Sequence, residues 1–267
     1  MNNRFILLFL ILSCNSAPSD TTHTGGVNDD IELNEHVGDP ELEARVRAML
    51  GIGLPTLDND NAEAFLLDWV SDVDDRYVTI STKHGDIVLE LFEDVPLHRA
   101  NFLYKIFREY YSPSEFTRVV PDFVVQGGNS EEEKPQQMRF LIGRHTLPSE
   151  FRNPYIHIRG ALAMSRSYTN NPEKRSSSYD FYIVTGRKFS KMEIASVEVE
   201  QGVKYTTEQK LLYKKNGGTP HLDREHTVFG RVIKGMDVVD KLAATMTDES
   251  DWPLERLELK MKSHFNL

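Results

Sequence analysis

A single cysteine, Cys14, stands in 267 residues, so no intramolecular disulfide can form and no thiolate cage can hold zinc. Long apolar runs are missing as well. The one of note, Phe5 to Leu12, is far too short to span a bilayer as a helix. Positive charge is in deficit: Lys and Arg number 31 against 41 Asp and Glu, and the resulting net charge of −10 argues against a chain built to neutralise nucleic-acid phosphates. The nine histidines include no His-Glu-x-x-His pattern. No Gly-x-Ser-x-Gly elbow marks a hydrolase, and no internal repeat is present. What remains, with 39% hydrophobic and 27% charged residues, has the composition of an ordinary globular protein.

The first residues have the layout of an export signal: Arg4 as the charged start, Phe5 to Leu12 as the apolar core, then Ser13. Ile11-Leu12-Ser13-Cys14 resembles a bacterial lipobox, which implies lipidation of Cys14 and a membrane anchor. The expected organisation is therefore a signal peptide over 1–13 and a polar, flexible tether over 14–38. A helical extension is expected over 39–75, followed by the main domain over 76–264. In the extension, Pro40 sits at a helix start with Leu42, Val46 and Leu50 one turn apart. A second amphipathic stretch, 62–73, carries Phe65, Leu66, Trp69 and Val70 on one face.

In the main domain Val78 and Ile80 face Ile87, Leu89 and Leu91 across a turn at Lys83-His84-Gly85-Asp86, the pattern of a β-hairpin. A helix follows with Pro96 in its first turn and Ala100, Leu103, Phe107 and Tyr110 on its apolar stripe. Strand-like runs recur at 115–126, 160–165, 180–185, 226–232 and 256–262, and a second helix is expected at 236–246 with Met236, Val239, Leu242 and Met246 in register. Many short strands with two core helices favour a closed barrel or a sandwich. The charged stretch 187–219 reads as an insertion with its own helix, opened by Thr206-Thr-Glu-Gln209 and stopped by Asn216-Gly217-Gly218. Glu131-Glu132-Glu133 reads as a solvated loop.

Phe116-Thr-Arg-Val-Val-Pro-Asp-Phe-Val-Val-Gln-Gly-Gly-Asn129 resembles the signature of the cyclophilin-type peptidyl-prolyl cis–trans isomerases. Agreement extends to Gly85–Phe92, Gly160–Met164, Ser178–Ile183 and His221–Val232, in order and at similar spacing, over about 77–263. The resemblance implies a mainly β fold: a closed eight-stranded antiparallel barrel capped by two α-helices, with the substrate in a groove on the outer wall. It also implies Arg118 as the catalytic arginine, and a proline pocket walled by Phe123, Val124, Phe181 and Leu222 with Tyr182, His226 and His221 close by. Gln126 would bond substrate backbone, and the Ser165-Arg166-Ser167 segment would offer its own backbone groups. No cofactor or metal is called for. The implied partners are proline-containing polypeptide segments, the chain is expected to be a monomer, and no nucleic-acid partner is expected.

This sequence departs from the family pattern at Thr117 (histidine in the family), at Ser165-Arg166-Ser167 (Ala-Asn-Ala), at Asp180 (glutamine), and at His221, where animal members commonly carry tryptophan. Asp180 and the charge of Arg166 keep a second reading open, a non-catalytic module that grips proline segments on the same barrel. The chemistry itself needs no nucleophile. An X–Pro bond rotates against about 18–20 kcal/mol of amide resonance, and a rate gain of about 10⁵ corresponds to roughly 7 kcal/mol of preferential binding of the twisted state. A permanently charged guanidinium donating to the proline nitrogen suits that task.

Overall fold

The computed structural model describes residues 51–130 and 132–266, so the signal segment, Cys14, the tether and the helix expected over 39–50 lie outside the described residues. None of the described helices is long and apolar enough to cross a membrane.

The main domain is built from β1 (Tyr77–Thr82), β2 (Gly85–Leu91), β3 (Ser114–Val120), β4 (Val124–Asn129), a short β5 (Thr146–Leu147), β6 (Ala161–Met164), a short β7 (Ser176–Ser177), β8 (Phe181–Val184), β9 (Val228–Lys234) and β10 (Glu258–His264). Eight of them close in the order β1-β10-β3-β4-β8-β6-β9-β2, and every pairing is antiparallel; β5 and β7 form a separate two-stranded ribbon. The expected barrel is thus present, with the run 115–126 divided into two strands. The break comes at Pro121-Asp122-Phe123, where Asp122 adopts φ 57°. Proline and a left-handed aspartate make a turn out of a stretch whose valines on both sides read as one strand. The first hairpin is tighter than expected: Thr82 pairs with Gly85, leaving only Lys83 and His84 in the loop.

Period-two alternation puts one set of side chains inside the barrel. Phe116, Val119, Val125, Leu162, Met164, Phe181, Ile183 and Phe229 fill that interior. Two helices cap it. The first, α2 (Pro96–Phe107), follows α1 (Ala62–Val70) in the chain; the second, α6 (Met236–Ala243), follows α3 (Glu133–Ile142), α4 (Lys191–Gln201) and α5 (Thr207–Asn216). Every residue of α2 from Leu97 to Ile106 is buried, because the barrel covers one side and other helices the rest. Tyr110 is buried beyond the helix end and Phe107 only in part. Helix α6 stops at Ala243, short of Met246, which is exposed.

The extension packs on the outside of α2. Phe65 and Trp69 set their rings edge-on to Tyr104 at 5.3 and 5.2 Å. Leu57 donates to the Ile142 carbonyl and the Asn59 side chain accepts from Thr146 N–H at the start of the segment, and Arg99 donates to the Val73 and Asp75 carbonyls at its end. The acidic run at 131–133 is not a loop throughout, since α3 begins at Glu133. The insertion holds two helices rather than one. Ser190 with Glu193 and Thr206 with Gln209 each make a capping box. At its base Gly218 runs at φ 150°, and a Cβ there would lie 2.2 Å from the His157 carbonyl oxygen, so only glycine permits this approach.

Candidate active site

The outward-facing residues form a cross-strand row. Arg118 on β3 lies opposite Gln126 on β4, Gln126 opposite Tyr182 on β8, Tyr182 opposite Ala163 on β6, and Ala163 opposite Val228 on β9. Residues directly opposite in an antiparallel pair share a face, so these strands deliver their side chains to one strip of the outer wall. A register shift between Phe116 and Arg118 re-aims the chain just before the arginine. Gly127 and Gly128 follow Gln126, and a Cβ on Gly128, at φ 100°, would meet the Tyr179 carbonyl at 2.2 Å.

Above this row is a cavity of about 210 Å³ whose lining brings together Arg118, Phe123, Val124, Gln126, Ser165, Arg166, Tyr182, Leu222 and His226, with Tyr168 as an addition. Val124, Tyr182, Leu222 and Val228 form its buried apolar floor together with Ala161, Ala163 and Val184. His221 stands beside it with its ring stacked on Phe123, 5.5 Å between centroids and 17° between planes. One expected wall residue is elsewhere. Phe181 points into the barrel, fully buried against Phe102, Tyr111 and Phe116, because neighbours on a strand face opposite ways and Tyr182 takes the groove side.

Arg118 is held from one side. Its Nε and Nη2 donate to Asp251 Oδ2 at 3.1 and 3.0 Å, and its guanidinium carbon lies 5.9 Å from the Phe123 ring centre. Nη1 makes neither bond to Asp251. Asp251, in the loop before β10, was not singled out in the sequence. Its φ of 63° is a backbone signal visible only in the fold.

Of the two departures that raised doubt, Arg166 lines the groove with its charge paired, and Asp180 lies outside it. Arg166 folds back, its Nε donating to the Glu225 carbonyl at 2.6 Å and its guanidinium pairing with the Glu225 carboxylate and stacking 4.0 Å over Tyr168. Burial pushes the Glu225 carboxyl up, but hydrogen bonds from Lys174 and Arg166 outweigh it and hold the group below its ordinary value. The expected positive charge at Arg166 is therefore compensated. Asp180 accepts from the Ser177 hydroxyl at 2.7 Å and lines a neighbouring polar cavity with Arg139 and Arg175. Ser165 spends both backbone groups inside the protein, on Asp180 and Ser177. Among the described residues, Arg166 makes no such bond with its own peptide group, so its backbone can still meet a peptide.

Behind the groove runs a buried polar chain. Asp223 Oδ1 accepts from the His157 backbone N–H and from Nδ1, both at 2.7 Å. Asp223 Oδ2 accepts from the Tyr205 hydroxyl at 2.7 Å and from that of Tyr213 at 2.5 Å, both in the insertion. His157 Nε2 is 3.0 Å from the Tyr182 hydroxyl. Burial pushes the Tyr182 phenol well up, so it stays protonated. His226 donates from Nδ1 to the Met164 carbonyl and accepts from Tyr168 at Nε2, and burial first, then His157, lowers it to about 4. Burial also lowers His221. None of this buried chain was legible in the sequence, where Asp223, His157, Tyr205 and Tyr213 lie in separate segments.

Comparison with known proteins agrees. Residues 77–263 match the model of the family described as cyclophilin type peptidyl-prolyl cis–trans isomerase/CLD. Over 181 residues the chain is 36% identical to a Streptococcus pyogenes protein named as a bifunctional phosphatase/peptidyl-prolyl cis–trans isomerase, an alignment that takes in 67% of this chain and 36% of that protein. It is 30% identical over 171 residues to a peptidyl-prolyl cis–trans isomerase of Acinetobacter baylyi, covering 64% of this chain and 73% of the other. The crystal structure of a cyclophilin type peptidyl-prolyl cis–trans isomerase from Cryptosporidium parvum superposes with a TM-score of 0.51 at 21% identity, over 72% of this chain and 99% of that one. The same protein in the presence of the dipeptide Ala-Pro gives 0.50 at 22% identity, over 71% and 99%. The chain belongs to the cyclophilin-type peptidyl-prolyl cis–trans isomerases.

Proposed function

We propose that the outer-wall groove turns X–Pro bonds in extended segments of exported, incompletely folded polypeptides. In this reading Phe123, Val124, Tyr182 and Leu222 take the proline ring, Gln126 and the Arg166 peptide group bond the backbone, and Arg118 donates to the proline nitrogen as the amide twists. The observation that carries it is the cross-strand row that brings Arg118, Gln126 and Tyr182 to one face over an apolar floor. As the amide leaves planarity its nitrogen regains a lone pair, and a donor fixed by Asp251 needs no reorganisation to meet it. A protease-coupled assay on a Xaa-Pro peptide tests the reading, the expected result being acceleration well above the uncatalysed rate of about 10–100 s per event. Binding of the peptide without acceleration would leave a gripping module instead.

The cellular setting belongs to the same proposal. The arrangement of Arg4, Phe5 to Leu12 and Ile11-Leu-Ser-Cys14 supports export and lipidation of Cys14, with the domain held at a cell-envelope membrane. A Cys14→Ser chain should then move from the detergent phase to the aqueous phase. Equal partitioning of both proteins into water would refute the anchor.

A further inference from the structure

A second cavity, of about 460 Å³, opens beside the proline groove, and His226 lines both. The segment 151–156 forms one wall, the insertion residues Val203 to Thr206 with the start of α5 another, and the turn from Asp223 to Val228 the third. Its apolar lining includes Phe151, Tyr155 and Leu212, while the exposed Arg152, Lys204 and Arg224 stand around it. In a chain of net charge −10 this is a local reversal of sign. Among the described residues only two acids line the cavity, Glu208 and Asp223. The carboxylate of Asp223 is already occupied by His157, Tyr205 and Tyr213.

Arg224 carries a second observation. Its backbone adopts φ 60°, a left-handed conformation that is strained for a residue with a side chain and that glycine would accept freely. An arginine nonetheless stands there, with Nη2 donating to the Asn153 side chain at 3.2 Å across the cavity wall. Arg152 is anchored comparably, Nε to the Asp94 carbonyl at 2.9 Å. Carbonyl and amide partners orient these guanidinium groups without neutralising them.

We propose that this cavity is a second recognition site for the polypeptide whose proline occupies the groove, and that it takes an acidic side chain flanking that proline. The proposal rests on the groove reading given above. Because His226 lines both cavities and an extended chain advances about 3.3 Å per residue, the acidic residue would lie within roughly two to four positions of the proline.

Peptides with one Xaa-Pro bond and Glu, Gln or Lys at each of the four positions on either side provide the test, read as kcat/KM and, in parallel, as Kd by fluorescence anisotropy. Expected is a preference for Glu over Gln of about tenfold at one or two adjacent positions, with Lys below Gln, shrinking as salt is raised. Taking the Glu/Gln ratio within each protein cancels any loss of folded material. Arg224→Glu and Lys204→Glu should each bring that ratio to one or below, and Lys214→Glu, outside the cavity, should not. A ratio near one at every position in the unaltered chain overturns the proposal. So does a ratio that survives Arg224→Glu combined with Lys204→Glu, or one that Lys214→Glu abolishes equally. Should no peptide be turned over at all, the isomerase reading fails, and the Kd ratios still decide whether the cavity selects acids.

Discussion

Arg118 is the residue on which turnover should depend most. Arg118→Ala is expected to lower kcat/KM by about 10²-fold or more, the scale for loss of one aimed donor at a developing charge. The melting temperature should stay within a few degrees, since the side chain is partly exposed on the outer wall. Arg118→Lys should fare little better, because a compact ammonium cannot bond Asp251 from one edge and present a donor from the other. Asp251→Ala tests the positioning role: kcat/KM should fall several-fold through kcat while peptide affinity holds, and an unchanged kcat would show that Arg118 needs no support. The sequence announced Arg118 through its motif, but not Asp251, which is brought to it by the loop ahead of β10. The choice between Phe181 and Tyr182 was equally out of reach. Two adjacent aromatics on a strand differ by which face they take, and the register that decides it is set by pairing with β4 and β6.

At the scale of elements, apolar periodicity revealed those segments whose stripe faces the core and missed those whose apolar residues face outward. Helix α3 buries only Pro135 and Ile142 and exposes Phe140, and α4 exposes Met192 and Val199, so neither shows a clean stripe. The capping pair at Thr206 was readable because it is local, and the one at Ser190 is of the same kind. What ties the insertion to the barrel is long-range: the cluster of Ile156 with Ile194 and Tyr213, and the Asp223 carboxylate with its two tyrosines and His157. Tyr213→Phe should cost about 1–2 kcal/mol in chemical denaturation, the usual toll for removing one hydrogen bond to a buried acid. Asp223→Ala should cost about 3–5 kcal/mol, as it strands several buried donors at once. It should also raise KM, since Tyr182 loses the anchored His157 behind it. A Tyr213→Phe chain as stable as the original would show that the insertion is held by its apolar contacts alone.

For the molecule as a whole, protonation separates catalysis from stability. With His226 lowered to about 4 and His221 lowered as well, and with an arginine as the donor, kcat/KM should be nearly flat from about pH 6.5 to 9. A bell-shaped profile in that range would point to an acid or base in the groove. Stability should behave otherwise. His226, and His145, which burial followed by Lys105 and Arg175 lowers to about 2, are neutral in the fold but take up protons near pH 6.5 when unfolded. The unfolded chain therefore binds more protons over that interval, and the melting temperature should decline as the pH falls from about 7 to 4. Below about pH 4.5 Glu150 adds to the loss, since the His98 hydrogen bonds outweigh burial and hold its carboxyl low in the fold. His145→Gln should flatten the upper part of this decline, and a melting temperature constant from pH 7 to 4.5 would contradict the assignment. The continuous barrel has a further consequence for a protein that handles extended chains. Sheets with free margins are templates onto which unfolded strands add, and such addition is how aggregates grow. Here each of the eight strands has a neighbour on both sides, so the main sheet offers a visiting polypeptide side-chain pockets and no backbone ladder to join. The visitor can be held and let go without the protein being drawn into its misassembly.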